Sequence, residues 1–222
     1  MAAVERQFQN QLDEIKSLLL SMGNSVEKAL ETVVTGLIQR DLEKLEGVFA
    51  IEERINHYQV ELDQVCTEFL AKQGPVATDL RLVISIIKIN SDLERMGDQC
   101  VNISHSAKDF IQQKGSFSLQ DIQVMAAVAQ KMVKDALDCF VTRNAEVAQK
   151  VLMTDDELDQ RKQQVFNQMV AAMKKDSTVV EPAMDLILIA RNLERMGDHA
   201  TNIAEDVIFV STGKDIRHGK YS

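Results

Sequence analysis

The sequence predicts an all-α protein made of two pseudo-symmetric three-helix bundles. Three observations carry this. The 222 residues include only two prolines and nine glycines, aromatics make up 5%, and the charged segments are rich in helix formers such as Leu, Met, Ala, Glu and Gln. The hexapeptide LERMGD occurs twice, at 93–98 and 193–198. Matching apolar series with alternating gaps of three and four run through both copies.

The elements follow in order. An apolar-periodic segment over roughly 5–38 predicts the first helix. QRDLEKLEGVF starts the second, with Asp41 placed as its N-cap. Its seam reads Leu45, Val48, Glu52, Ile55, Gln59, Leu62, Cys66, Phe69. KQGP at 72–75 breaks the chain, and Pro75 is expected in an early turn of the third helix. The third seam is Ile86, Ile89, Leu93, Met96, Cys100, Ile103, Ala107, Phe110. This spacing suits coiled-coil-like packing.

QQKGSFSLQ at 112–120 reads as the joint, so residues 1–112 form one unit and 118–212 the other. The second unit repeats the first. A periodic segment covers 119–142, and Asn144 in TRNAEVAQKVL is the matching N-cap. The next seam is Ala148, Val151, Asp155, Leu158, Lys162, Val165, Met169, Ala172. KKDST at 174–178 breaks it, with Pro182 in the following first turn. The last seam is Leu186, Ile189, Leu193, Met196, Ala200, Ile203, Val207, Val210. The tail from 211 to 222 has no apolar period and is expected to fray.

A net charge of −9 argues against nonspecific nucleic-acid binding. The three cysteines, Cys66, Cys100 and Cys139, show no CxxC spacing and suit reduced core thiols in a cytosol. The N-terminus is too polar for a signal peptide. The most apolar run, LRLVISIIKI, is interrupted by charge and too short for a span of about 20 residues. Membrane association is therefore expected only through partners.

The acids carry the functional signal. Glu94 and Asp98 lie one helical turn apart on one face, as do Glu194 and Asp198. Like charges at this spacing cost a helix a few tenths of a kcal/mol, and a mid-helix glycine costs about 1 kcal/mol against alanine. On the second helices stand Glu52 with Asn56, and Asp155 with Asp159. Counting 22 residues to either side of each interhelical turn puts both members at the same height in both halves. The count does not fix rotation about the helix axes. Such a cluster needs a cation among its carboxylates, either a hard oxygen-ligand metal or a lysine or arginine. A solvated surface with Arg54, Arg95 and Arg195 as ion-pair partners is the simpler reading of any single pair.

The chain resembles the PhoU family over nearly its whole length. ATDLRLVISI at 77–86, LERMGD in both halves, CVNIS and ATNIAEDVIFV after them, and GKDIRH near the end carry the resemblance. It implies two three-helix bundles related by a pseudo-twofold axis, in a cytoplasmic regulator that restrains the phosphate-starvation response. The implied partners are the phosphate transporter's ATPase subunit and the phosphate-sensing histidine kinase. The resemblance further implies multinuclear iron or zinc in some members, carried here by Glu94, Asp98, Glu194, Asp198, Asp155, Asp159, Glu52 and Asn56. Asn56 departs from the acidic pattern and weakens the first-half set. A homodimer is also expected.

Two rivals remain. A metal-free helical adaptor would share the partners and lack the metal. An enzyme finds little support: no His has a Glu three residues before it, as a di-iron bundle requires, and no phosphate-cradling glycine loop or nucleophile arrangement is present.

Overall fold

The structure, a computed structural model, describes residues 2–113 and 117–217. It contains α1 (Ala2–Gln39), α2 (Leu42–Gln73), α3 (Ala77–Gln112), α4 (Gln120–Thr142), α5 (Ala145–Lys175) and α6 (Val180–Thr212), with one 3₁₀ turn at Ser177–Val179 before α6. No strand occurs among the described residues. No helix among them is long and apolar enough to cross a membrane.

Each boundary has a local cause. The Asp41 carboxylate accepts hydrogen bonds from the backbone N–H groups of Glu43 and Lys44, and Asn144 does the same for Glu146 and Val147. These caps satisfy N–H groups that have no partner within the helix. Arg40 and Arg143, just before the two caps, both take the left-handed conformation, at φ 54° and 52°. The tight α1–α2 and α4–α5 turns are thus built alike. Gly74 closes α2 at φ 53°, donating to the Leu70 carbonyl. Pro182 lies in the first turn of α6, as expected. Pro75 does not enter α3: it stands in the link before extended Val76, and the helix begins at Ala77. A residue preceded by proline and held extended cannot also be the first helical turn.

The seams face inward as the spacing predicts. Every residue of the α3 and α6 seams is buried, and so are all the aliphatic and aromatic members of the α2 seam. α1 and α4 supply the third side of each bundle through residues such as Leu19, Met22, Val26, Met125 and Met132. Full burial of each large apolar side chain contributes about 1.5–3 kcal/mol.

The two bundles do not stand apart. α3 and α6 form the most extensive helix pair, and α1 also touches α4. Lys88 meets Asp206 and Asp92 meets His199, so α3 and α6 run antiparallel. One continuous core therefore spans both halves. Of the segment expected to fray, Ser211 and Thr212 complete α6, and Ile216 packs on the core beside an Arg217–Asp215 ion pair. Residues 218–222 lie outside the described residues. So do 114–116 of the joint, but its neighbours Phe117 and Leu119 pack on the core.

Candidate functional site

The burial pattern of α3 over 91–100 is reproduced residue for residue in α6 over 191–200. Glu94 and Glu194 are half-buried, Asp98 and Asp198 are exposed, and Gly97 and Gly197 are buried. The rotation that the sequence left open is fixed by these glycines. A Cβ on Gly97 would lie 3.2 Å from Ile55 Cδ1 of α2. One on Gly197 would lie 2.6 Å from Leu158 Cδ2 of α5 and 3.4 Å from the Asp155 carboxylate. The bare backbone lets α2 close on α3, and α5 on α6, bringing the acids of each pair of helices together.

In the second half four carboxylates converge. Burial and the charges of Asp198, Asp159 and Glu194 push the Asp155 carboxyl up to about 6. Asp198, exposed as a residue but with its carboxyl turned partly inward among its neighbours, is raised by that partial loss of water and then by Asp159, against the pull of His199, Lys162 and Arg195. Glu194 is raised chiefly by burial. Lys162 stands among them. Its ammonium lies 2.8 Å from Asp159 Oδ1 and 2.5 Å from Glu194 Oε1. Burial works against its charge, but the hydrogen bonds to both acids outweigh that and hold the ammonium protonated. The same contact lowers Asp159.

The first half is differently equipped. The Asn56 amide donates to Glu52 Oε1 at 2.5 Å, and its own Oδ1 is buried without a hydrogen-bond partner. Glu94 is raised by burial and by Asp98, with Glu52 adding to the effect and Arg95 opposing it. The position matching Lys162 is Gln59, so no ammonium stands there. All eight acidic or amide positions singled out from the sequence thus fall in two groups, one on each α2/α3 or α5/α6 face.

The sequence allows a lysine or arginine among the carboxylates without saying which; the structure puts Lys162 there, ahead of Arg54, Arg95 and Arg195. Sequence reading missed a second polar feature, on the α3–α6 interface. Asp92 Oδ1 sits 2.9 Å from His199 Nδ1 and accepts from Asn202 Nδ2 at 3.0 Å. Lys88 Nζ pairs with buried Asp206 at 3.1 Å. The signal was available as polar residues seven apart: Ser85, Asp92, Gln99 and Ser106 on α3, and Asp185, Asn192, His199 and Asp206 on α6. The three cysteines are free and buried, and burial raises the Cys66 thiol to about 11 and the Cys139 thiol to about 12.

Comparison with known proteins bears on this doubled acidic face. The PhoU domain family matches residues 19–107 and again 122–207. The chain belongs to the PhoU family. It is 36% identical to a phosphate-specific transport system accessory protein PhoU homolog of Pseudomonas putida, over 97% of this chain and 84% of that one. The PhoU of Escherichia coli is 29% identical over 97% of this chain and 89% of its own. The crystal structure of PhoU from Pseudomonas aeruginosa superposes with a TM-score of 0.91 at 35% identity, covering 93% of this chain and 100% of that one. A phosphate transport system regulatory protein PhoU from Streptococcus pneumoniae superposes at 0.88 with 26% identity, covering 94% and 99%.

The PhoU resemblance implies metal on these pairs, and the residues can be tested for fit. Among the described residues, no group of three or more His, Cys, Asp or Glu side chains is arranged so that it could hold a metal ion. The donor chemistry nevertheless suits a hard cation, since every candidate donor is an oxygen. In the second half an ammonium stands where such a cation would. In the first half a buried amide oxygen lacks a donor. The donor types thus suit a hard cation, while their arrangement in this structure does not form a site for one.

Proposed function

We propose that this PhoU protein is a cytoplasmic regulator of phosphate uptake and of the phosphate-starvation response. It acts by binding the phosphate transporter's ATPase subunit and the phosphate-sensing histidine kinase. One observation carries the reading: the likeness to phosphate-transport accessory proteins extends over 97% of this chain and 84% of the Pseudomonas putida relative. The relatives are named as accessory or regulatory proteins. Acting through proteins rather than chemistry agrees with a surface of long helices and buried, unreactive thiols.

The two carboxylate faces serve this role by taking up a hard cation. Glu52, Asn56, Glu94 and Asp98 would hold it in the first half, and Asp155, Asp159, Glu194 and Asp198 in the second. Iron and zinc are the metals implied by resemblance, and an all-oxygen donor set adds manganese. Bound metal would supply positive charge to a face that otherwise repels itself, giving partners a rigid and less acidic surface.

A second reading has its own observation. Lys162 already bridges Asp159 and Glu194, as in a helical adaptor that binds no metal. Both readings keep the same partners.

The test is affinity capture with the purified chain on extract of cells grown in high and in low phosphate, followed by titration against the purified ATPase subunit and the kinase's soluble part. Binding of at least one at micromolar concentration is expected. Failure to bind either, in both phosphate conditions, overturns the proposal.

A further inference from the structure

The groove between α1 and α2 is open to solvent and changes character along its length. At one end its floor is Ile15, Leu18, Val65 and Phe69, rimmed by Glu14, Glu61 and Glu68. Glu68 is tied to Lys72 at 2.7 Å, whereas Glu14 and Glu61 are exposed and have no ion-pair partner among the described residues. At the other end Ile51 and Tyr58 make the apolar part, with Lys28 and Arg54 beside them. Arg54 is likewise exposed and unpaired among the described residues, and Lys28 holds only a solvent-exposed pair with Glu31. Ser21 and Ser25 turn their hydroxyls onto carbonyls of their own helix, so the α1 wall between the two ends is low. From Gln11 to Lys28 the groove is about 26 Å long, at the rise of about 1.5 Å per helical residue.

The acidic end belongs to the first bundle alone. α1 has 38 residues and α4 has 23, and the two helices end in matching turns at Arg40 and Arg143. The surplus of α1 therefore lies at its N-terminal end, where it carries Glu14 and Ile15 and stacks Phe8 on Phe69 with ring centroids 5.1 Å apart. The pseudo-symmetry of the two halves is broken here, so the chain offers this groove once. Its length takes one face of a helix of about five turns. The opposite charges at its ends fix the direction of that helix. A helix carries acids most stably in its first turn and bases in its last. The first turn then meets Arg54 and Lys28 and the last turn Glu14 and Glu61, so the helix runs alongside α2 in the same direction. We propose that the α1–α2 groove docks an amphipathic helix of a partner protein, with Asp or Glu at its N-terminal end, Lys or Arg at its C-terminal end, and an apolar face between. This rests on the reading, given above, that the protein acts by binding other proteins.

The experiment measures, by fluorescence anisotropy, the binding of two labelled peptides of about 18 residues to the full-length protein. Both have one composition and one leucine face; the first carries its acids at the start and its bases at the end, the second the reverse. The acid-first peptide is expected to bind about tenfold tighter or more. Glu14→Lys with Glu61→Lys should weaken it about tenfold and strengthen the reversed peptide. Leu18→Gln and, separately, Val65→Gln should weaken both peptides, while Met153→Gln, exposed on α5, should change neither. Circular dichroism confirms that each variant folds. Equal binding of the two peptides, or binding that the groove variants leave intact, overturns the inference. Wild type sedimenting as a dimer that Leu18→Gln turns into a monomer also overturns it, because a second copy then fills the groove. The Glu14→Lys/Glu61→Lys protein is then titrated against the ATPase subunit and the kinase's soluble part, and a loss of about tenfold is expected for the protein that wild type binds. Undiminished affinity there overturns the inference and leaves the proposed function standing. Wild type that binds neither protein overturns the proposed function, and the two peptides then decide the groove by themselves.

Discussion

Gly197 of α6 lies directly beneath Leu158 of α5, so close that a Cβ at 197 would stand 2.6 Å from the leucine's Cδ2. The glycine of LERMGD is therefore a packing requirement, and it sets the approach that gathers Asp155 and Asp198 on one face. Gly97 is less tightly covered, with Ile55 at 3.2 Å. Gly197→Val should destabilise by about 1–3 kcal/mol through overpacking. Gly97→Ala should be near neutral, because a helix-propensity gain of about 1 kcal/mol offsets a small shift of Ile55. Urea unfolding of both variants checks this, and equal midpoints would contradict it.

Asp92 is the acceptor on which the α3–α6 seam depends. Asp92→Ala leaves the Nδ1 of buried His199 without its partner and takes the acceptor from the exposed Asn202 amide. A loss of about 1–3 kcal/mol is expected. The check is equilibrium unfolding at fixed pH, and unchanged stability would show that the contact contributes nothing.

Stability should fall as pH rises through about 6 on account of Asp185. Burial raises its carboxyl to about 6, Asp109 adds to this, and a hydrogen bond to Gln113 opposes it. The folded chain then holds this proton more tightly than the unfolded chain, so the contribution is full below about 4 and lost above about 6. Asp185→Asn removes the penalty at pH 7.5. The upper bound is about 3 kcal/mol, and with partial solvation a gain of about 1 kcal/mol is expected. That gain should vanish near pH 4. A pH-independent difference would contradict the assignment.

The caps are predicted to be worth about 1 kcal/mol each. Asp41→Ala and Asn144→Ala lie in different turns and should add. Thermal unfolding of the two single variants and the double checks both statements.

Much of the fold was legible because it is local and said twice. The 3,4 seams, the caps at Asp41 and Asn144 and the repeated LERMGD each need only a few neighbouring residues to be read. Matching heights of the acids also followed from counting along the hairpins. What could not be read was rotation, since it depends on how closely Gly97 and Gly197 let the neighbouring helices approach. The partner of Lys162 was hidden for the same reason, because its bond to Glu194 crosses helices 32 positions apart. The polar column of Asp92, His199 and Asp206 went unread, because its contacts join α3 to α6 across 107 and 118 positions of the chain. Pro75 was placed a few residues too far along, because a proline ahead of a helix and one in its first turn leave the same mark on a sequence.

Whether the acid faces are a cation site or a solvated surface is decided most directly by thermal unfolding. Wild type and Asp98→Asn/Asp198→Asn are compared, each with chelator and with iron, zinc or manganese. In chelator the variant should be the more stable, because like-charge repulsion of about 0.2–0.5 kcal/mol per pair is relieved. With metal a hundredfold above its dissociation constant, wild type should gain about 2.7 kcal/mol, or about 5–10 °C, and overtake the variant. A wild-type midpoint that ignores all three metals, or a response that the double substitution leaves intact, would contradict a cation site on these carboxylates.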